Sequence, residues 1–191
     1  MRRFLSVMCV AATISSGATS STLAETKVDV RLCEREMQNA ARKYDVPLGI
    51  LYSVGITETG KGNSLHPYAM NIEGKPYYAR SIRDGQRKVA WEQARGKKLI
   101  DVGCMQINIH YHGHRFASVS DMFRPRQNVQ YAARFLSELK KREGSWTMAV
   151  ARYHAGPNNN PAQKRYICRV ITNMVASGFG KWTPEARTFC N

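Results

Sequence analysis

The chain has 191 residues, 43% of them hydrophobic, and carries 29 Lys and Arg against 14 Asp and Glu, for a formal charge of +15. That length and apolar content allow one sizeable core and argue against two domains. The charge draws polyanions by long-range attraction, whether nucleic acid, anionic lipid or an acidic cell-envelope polymer, and it equally suits a basic surface that only maintains solubility.

The first residues have the three parts of a secretory signal peptide: Arg2-Arg3, the apolar run Phe4 to Ile14, and a small polar stretch ending Thr22-Leu23-Ala24. The apolar run is too short for a permanent bilayer anchor. Cleavage is expected after Ala24, leaving residues 25–191 as one exported domain, periplasmic or otherwise outside the cytoplasm. Loss of the two leader arginines takes the formal charge from +15 to +13, and export makes nucleic acid the least expected of the polyanions. An oxidising compartment favours disulfides. Cys9 departs with the leader, and Cys33, Cys104, Cys168 and Cys190 allow three pairings. A Cys33–Cys190 bridge, tying the two mature ends together, is the preferred expectation. No pair has the close spacing of a zinc or redox site.

Cys33, Met37, Ala40, Ala41 and Tyr44 recur at helical spacing until Asp45-Val46-Pro47 breaks the run. Pro47 suits the first turn of a second helix, whose apolar side reads Leu48, Leu51, Tyr52, Gly55 and Ile56 and whose last turn carries Glu58. From Lys61 to Leu99 the pattern suggests loop and short strand, with a polar helix over 84–95. Alternation in Asp101–Ile109 predicts an extended segment with Met105, Ile107 and Ile109 on one face and Gln106 and Asn108 on the other, where two amides suit a polar ligand such as a sugar. Three helical stripes follow: Val129 to Leu139, Trp146 to Tyr153, and Ile167 to Met174, separated by Gly144 and by Ala155 to Pro161. The chain has no internal repeat and no linker, and it reads as mainly helical with a small extended region inserted in the middle.

Several groups carry chemical potential. Glu58 ends an apolar helix beside glycines, which suits an acid in a cleft and equally suits a solvated helix-end carboxylate. Gly55 to Lys61 matches most of a phosphate-binding loop but fails at Gly62, where a magnesium-holding Ser or Thr is needed. His110, His112 and His114 would face one side of a strand as a metal site, but Gly113 makes a turn there more probable than a strand. Tyr153 and Tyr166, taken singly, read as core tyrosines with satisfied hydroxyls.

Taken together, Glu58-Thr59, Gly103-Cys104-Met105-Gln106-Ile107-Asn108, Tyr153-His154-Ala155-Gly156 and Tyr166 resemble the ordered motifs of the lytic transglycosylases of the lysozyme-like superfamily, the SLT domain. The family pattern runs Glu-Ser, Gly-Leu-Met-Gln, Tyr-Asn-Ala-Gly and a late Tyr, so Thr59, Cys104 and His154 depart from it. The resemblance covers about residues 33–175. Asn71-Ile72-Glu73-Gly74 ahead of Asp101-Val102-Gly103 is similar to small periplasmic members associated with secretion and conjugation machines.

The resemblance implies an α+β lysozyme-like fold, mainly α, with a β-hairpin insertion beside the active-site cleft. It implies cleavage of the β-1,4 bond between N-acetylmuramic acid and N-acetylglucosamine in peptidoglycan, with a 1,6-anhydro product and no cofactor or metal. Glu58 would act as acid and then base, Tyr166 would orient it, and Gln106 and Tyr153 would contact substrate, with Met105 lining the cleft and Asn108 and His154 as further contacts. A secretion, conjugation or flagellar apparatus is the partner such a resemblance suggests. Rival expectations are a lysozyme-type hydrolase pairing Glu58 with Glu73 or Asp101, a non-catalytic glycan-binding module, and an exported nucleic-acid binder.

Overall fold

Helix α1, Leu32–Tyr44, buries Cys33, Met37, Ala40 and Ala41 along one stripe, as its spacing predicts. It stops where Asp45 turns left-handed (φ 52°) and its N–H bonds back to the Ala41 carbonyl. After Pro47 the chain enters α2, Leu48–Thr59, which is buried on nearly every side: Ile50, Leu51, Ser53, Val54, Gly55, Ile56 and Thr59 are all inside. The expected single apolar face was too narrow, because α2 runs through the middle of the core. A computed structural model describes residues 29, 31–59, 64–156 and 158–191. The expected leader over 1–24 with Cys9, the Gly60 to Gly62 stretch compared with a phosphate loop, and Pro157 lie outside the described residues.

Strands β1 (Ala69–Ile72) and β2 (Lys75–Tyr78) form a hairpin across Glu73-Gly74. Both turn residues have positive φ, 49° and 88°, which gives the turn the twist that two-residue hairpins need. Helix α3, Ile82–Ala94, is capped by Ser81 accepting the Asp84 N–H, close to the polar helix expected over 84–95. Strand β3 (Ile100–Val102) then pairs antiparallel with β1, and β4 (Ile107–Asn108) with β3, in the order β2-β1-β3-β4.

The expected continuous extended segment over Asp101–Ile109 is not one strand. Residues 103–106 form a turn between β3 and β4, and Ile109 already begins the short helix α4, Ile109–His112. The cause is local and tertiary at once. Gly103 has φ 81° and lies so close to the Asn128 side chain that a Cβ would overlap it. Because α4 and a 3-10 turn over Gly113–Arg115 carry the three histidines, the strand geometry that would aim His110, His112 and His114 at one metal is absent. Among the described residues no group of three or more metal-ligating side chains clusters.

Helices α5 (Val119–Phe123), α6 (Pro125–Glu143), α7 (Trp146–His154), α8 (Asn160–Ala176) and α9 (Pro184–Cys190) complete the described chain. Proline at the first turn of α6, and Ser145 and Asn159 accepting backbone N–H groups at α7 and α8, set where these helices begin. Helix α6 packs on α1 and α7, while α8 packs on α2 and α7. The fold is therefore mainly α with a small antiparallel sheet inserted between α2 and α6, as expected. Among the described residues no helix is long and apolar enough to cross a membrane.

The expected Cys33–Cys190 bridge is corrected. Cys33 pairs with Cys104 and Cys168 with Cys190. Helix α1 lies beside the 103–106 turn, whereas α9 folds back on α8, so each cysteine finds its neighbour there. The Cys33–Cys104 bridge closes 71 residues, a loop whose closure restricts the unfolded chain by about 4 kcal/mol in the chain-entropy treatment.

Candidate active site

The last turn of α2 is held from α8. Arg169 donates to the Thr57 carbonyl (3.0 Å) and Asn173 Nδ2 to Thr57 Oγ1 (2.8 Å). On the same helix Tyr166, 1% exposed, donates its hydroxyl to Glu58 Oε1 at 2.6 Å. Burial and the neighbouring Glu58 carboxylate push the Tyr166 hydroxyl well above the usual phenol range, so it stays protonated and donates. Among the described residues Glu58 Oε2 accepts no hydrogen bond. The Glu58 side chain is 17% exposed: enclosed, yet open to the cleft.

The cleft itself has a volume of 260 Å³ and runs from Glu58 across the sheet to α4, α6 and α7. Strand register builds its floor. Asn71 on β1 stands opposite Asp101 on β3, and Asp101 opposite Asn108 on β4, so three polar side chains cross neighbouring strands in one row, and all three line the cleft. Asn108 Nδ2 donates to Asp101 Oδ1 at 2.7 Å, while Asn108 Oδ1 caps α4 by accepting the Tyr111 N–H. Burial raises the Asp101 carboxyl above its ordinary range; the Asn108 bond opposes this and the negative Glu58 adds to it. Larger concavities exist, including one of 790 Å³ against α8 and α9 lined by Lys164, Arg165 and Arg169. Its described lining includes no carboxylate, so its size has no bearing on proton chemistry.

The structure brings most of the expected residues together but assigns several of them different work. Tyr153 lines the cleft with its ring and donates its hydroxyl to the Met105 carbonyl at 2.8 Å; burial raises this phenol too. Gln106 lines the cleft, but its Nε2 is committed to the Ala69 and Gly103 carbonyls, both at 3.0 Å, and its backbone is left-handed (φ 45°). It clamps the turn and leaves its carbonyl oxygen for a ligand. Met105 is corrected: its side chain is fully buried in the core and lies beneath the cleft, against the space that Gly55 leaves. Asn108 uses both ends of its amide to hold Asp101 and α4. His154 lines the cleft with its ring 4.1 Å from that of Tyr166 at an interplanar angle of 2°, and its Nδ1 is 3.6 Å from Glu58 Oε1. Of the two rival second acids, Glu73 sits in the hairpin turn, ion-paired to Lys97 at 2.7 Å and outside the cleft, whereas Asp101 faces it.

Sequence reasoning missed Asn128. Fully buried on α6, its Nδ2 donates to the Val102 and Met122 carbonyls (2.9 and 2.8 Å) and its Oδ1 accepts the Met105 N–H (2.8 Å). One side chain thus anchors the turn that carries Gln106. A polar residue inside the otherwise apolar α6 stripe was the available signal. Asn71, Tyr111 and Phe135 also line the cleft unforeseen.

Residues 35–169, which contain every element of this cleft, match the family model of the transglycosylase SLT domain. The chain belongs to the transglycosylase SLT domain family. As an SLT-domain protein it is an enzyme of the peptidoglycan lytic transglycosylase class. Neither a curated protein nor a solved structure matches the chain. Within the SLT match, the Glu58–Tyr166 pair joins the first and last of the motifs across 108 residues of sequence.

Proposed function

We propose that this SLT-domain enzyme cleaves the β-1,4 bond between N-acetylmuramic acid and N-acetylglucosamine and closes the muramyl sugar on itself as a 1,6-anhydro ring, with Glu58 as the sole proton-transfer carboxyl. The observation that carries the reading is the 2.6 Å hydrogen bond from Tyr166 to Glu58 Oε1 beside a cleft lined by Asn71, Asp101, Gln106 and Asn108. Glu58, protonated, gives its proton to the glycosidic oxygen as the C1–O bond breaks. As carboxylate it then accepts the proton of the muramyl C6 hydroxyl while that oxygen bonds to C1, and the carboxyl is restored without water. Tyr166 fixes one oxygen of a carboxyl that lines the cleft. The Gln106 carbonyl oxygen, Asn71 and the Tyr153 ring are the groups offered to the sugar.

A two-carboxylate hydrolase is the second reading, favoured by one observation: Asp101 lines the same cleft and its carboxyl feels the Glu58 charge. In the transglycosylase reading Asp101 is an electrostatic neighbour of the developing positive charge on C1. In the hydrolase reading it is nucleophile or base.

Export to the periplasm or cell exterior forms part of the proposal, supported by the leader-like first residues and by two disulfides; the N-terminal sequence of the mature protein tests it. Service to a secretion, conjugation or flagellar apparatus rests on the sequence resemblance alone. Glu58→Gln tests the catalytic assignment: the variant should fold normally, with an unchanged thermal midpoint, and release no soluble muropeptides from peptidoglycan. Normal turnover by that variant would overturn it.

A further inference from the structure

We infer that the groove continuing from the cleft past Tyr111 and Phe135 binds the peptide substituents of the glycan, with Arg115 and Arg134 pairing to their carboxylates. The inference rests on the proposed cleavage of peptidoglycan in this cleft and names the part of the substrate that this chain selects by charge.

The wall at the α4 end of the cleft is shared. Tyr111, His112 and Phe135 line both the 260 Å³ cleft and a second concavity of 350 Å³. Arg115, Tyr131 and Arg134 in turn line both that second concavity and a third of 490 Å³. The three therefore adjoin one another along α4, the 3-10 turn and α6. The 790 Å³ concavity against α8 and α9 shares no described lining residue with the cleft, so its basic residues do not extend the site.

The groove has a fixed aromatic wall and open cations. Tyr131 and Phe135, one turn apart on α6, lie nearly parallel at 6.3 Å and 19°, and Phe116 packs on Tyr131 at 4.8 Å. The Tyr131 hydroxyl is hydrogen-bonded to His112 Nδ1 at 2.8 Å. The Arg134 guanidinium stands 5.6 Å from the Tyr131 ring centroid. Its pairing with Glu138 is loose, 3.8 Å between side chains that are 51% and 64% exposed, and such a pair holds little. Arg115, at the end of the 3-10 turn, makes neither a hydrogen bond nor an ion pair among the described residues. Asp121, the acid of the third concavity, is already taken by Arg124 at 3.0 Å. Two guanidiniums are thus free to engage a ligand, and their planar forks suit carboxylates.

An N-acetylated glycan whose lactyl groups are amide-linked to peptide is uncharged along its backbone. Sugar rings give the guanidiniums no ion to pair with. The negative charge of the substrate lies in its peptides, on carboxylates two or three residues from the muramyl ring. An extended peptide of that length reaches about 7–11 Å, enough to leave the cleft and enter the adjoining concavity. The glycan is then held at Glu58 while its peptide is held by Arg115 and Arg134.

The test compares soluble peptidoglycan strands before and after carbodiimide coupling of their carboxylates to ammonia, which keeps the peptides and removes their charge. For the wild type, amidation is expected to raise KM about fivefold, the upper range for one exposed ion pair, with kcat within about twofold. Arg115→Gln should raise KM on the charged strands to a similar extent and leave KM on the amidated strands unchanged. Equal KM for both substrates in the wild type overturns the inference. So does an Arg115→Gln loss that is the same on both, which a contact to neutral sugars would give. Arg165→Gln, at the concavity on α8, is the control: if it erases the preference for charged strands as Arg115→Gln does, the attraction is diffuse and the site is refuted. Cosedimentation of Glu58→Gln with native and amidated sacculi reads binding without turnover. Weaker retention on amidated sacculi, with the difference lost when Arg115→Gln is added, supports the site, and equal retention overturns it. A failure of the anhydro-product reading would appear as reducing ends, which neither the KM ratio nor the retention registers, so the two failures stay distinguishable.

Discussion

Tyr166→Phe removes one oxygen and leaves nearly everything else in place. The ring occupies a slot that is 1% exposed and stacks on His154, and phenylalanine fills the same slot with the same face. What disappears is the 2.6 Å bond to Glu58 Oε1. A hydrogen bond to a charged group contributes about 1.5–3 kcal/mol net. If that contribution is expressed in positioning the carboxyl for proton transfer, kcat falls about 10- to 150-fold at 1.4 kcal/mol per decade. Stability should fall by no more than that same about 1.5–3 kcal/mol, a thermal shift of about 3–12 °C for a domain of this size. Initial rates of muropeptide release, measured beside a thermal melt by circular dichroism, separate the two effects. A variant that melts normally and turns over within twofold of wild type would refute the orienting role.

Other consequences follow from the supports of the cleft. Asn128→Ala leaves two carbonyls and the Met105 N–H without their partner inside the core, and at about 1–3 kcal/mol for each buried group left unpaired, shared among neighbours, it should cost about 3 kcal/mol or more in urea unfolding; a loss below about 1 kcal/mol would contradict the anchoring role. Asp101 has a carboxyl raised above its ordinary value of 3.8, chiefly by burial. The native state therefore binds more protons than the unfolded state between 3.8 and the raised value, so this group's contribution falls as pH rises through that window. Asp101→Asn should accordingly melt higher than wild type at neutral pH, with the difference shrinking as pH falls toward 3.8, and a difference independent of pH would contradict the burial argument.

The helical framework was legible because its causes are local. Residues three and four apart gave the stripes of α1, α6 and α7, and Asp45-Val46-Pro47 marked the first break. Glu58 was recognisable from its company with Gln106, Tyr153 and Tyr166, a pattern of motifs that needs no knowledge of contacts. What escaped depends on tertiary placement. Alternation over Asp101–Ile109 was real in the side chains, but the left-handed Gly103 and the distant Asn128 impose a turn there. The row Asn71–Asp101–Asn108 exists only through strand register. The cysteine pairing follows from α1 lying against that same turn, and chain-end proximity was the wrong guide. Met105 was placed at the cleft by the family resemblance, whereas the alternation over Asp101–Ile109 had put it on the face opposite Gln106, which is where its fully buried side chain lies.

The claim on which the rest depends is that Glu58 works without a water-activating partner. Digestion of peptidoglycan by the mature protein in H₂¹⁸O, followed by mass spectrometry of the muropeptides, tests it most directly. Expected are 1,6-anhydro-muramyl ends carrying no ¹⁸O. Reducing muramyl ends with one ¹⁸O each would contradict the claim and transfer the second catalytic role to Asp101.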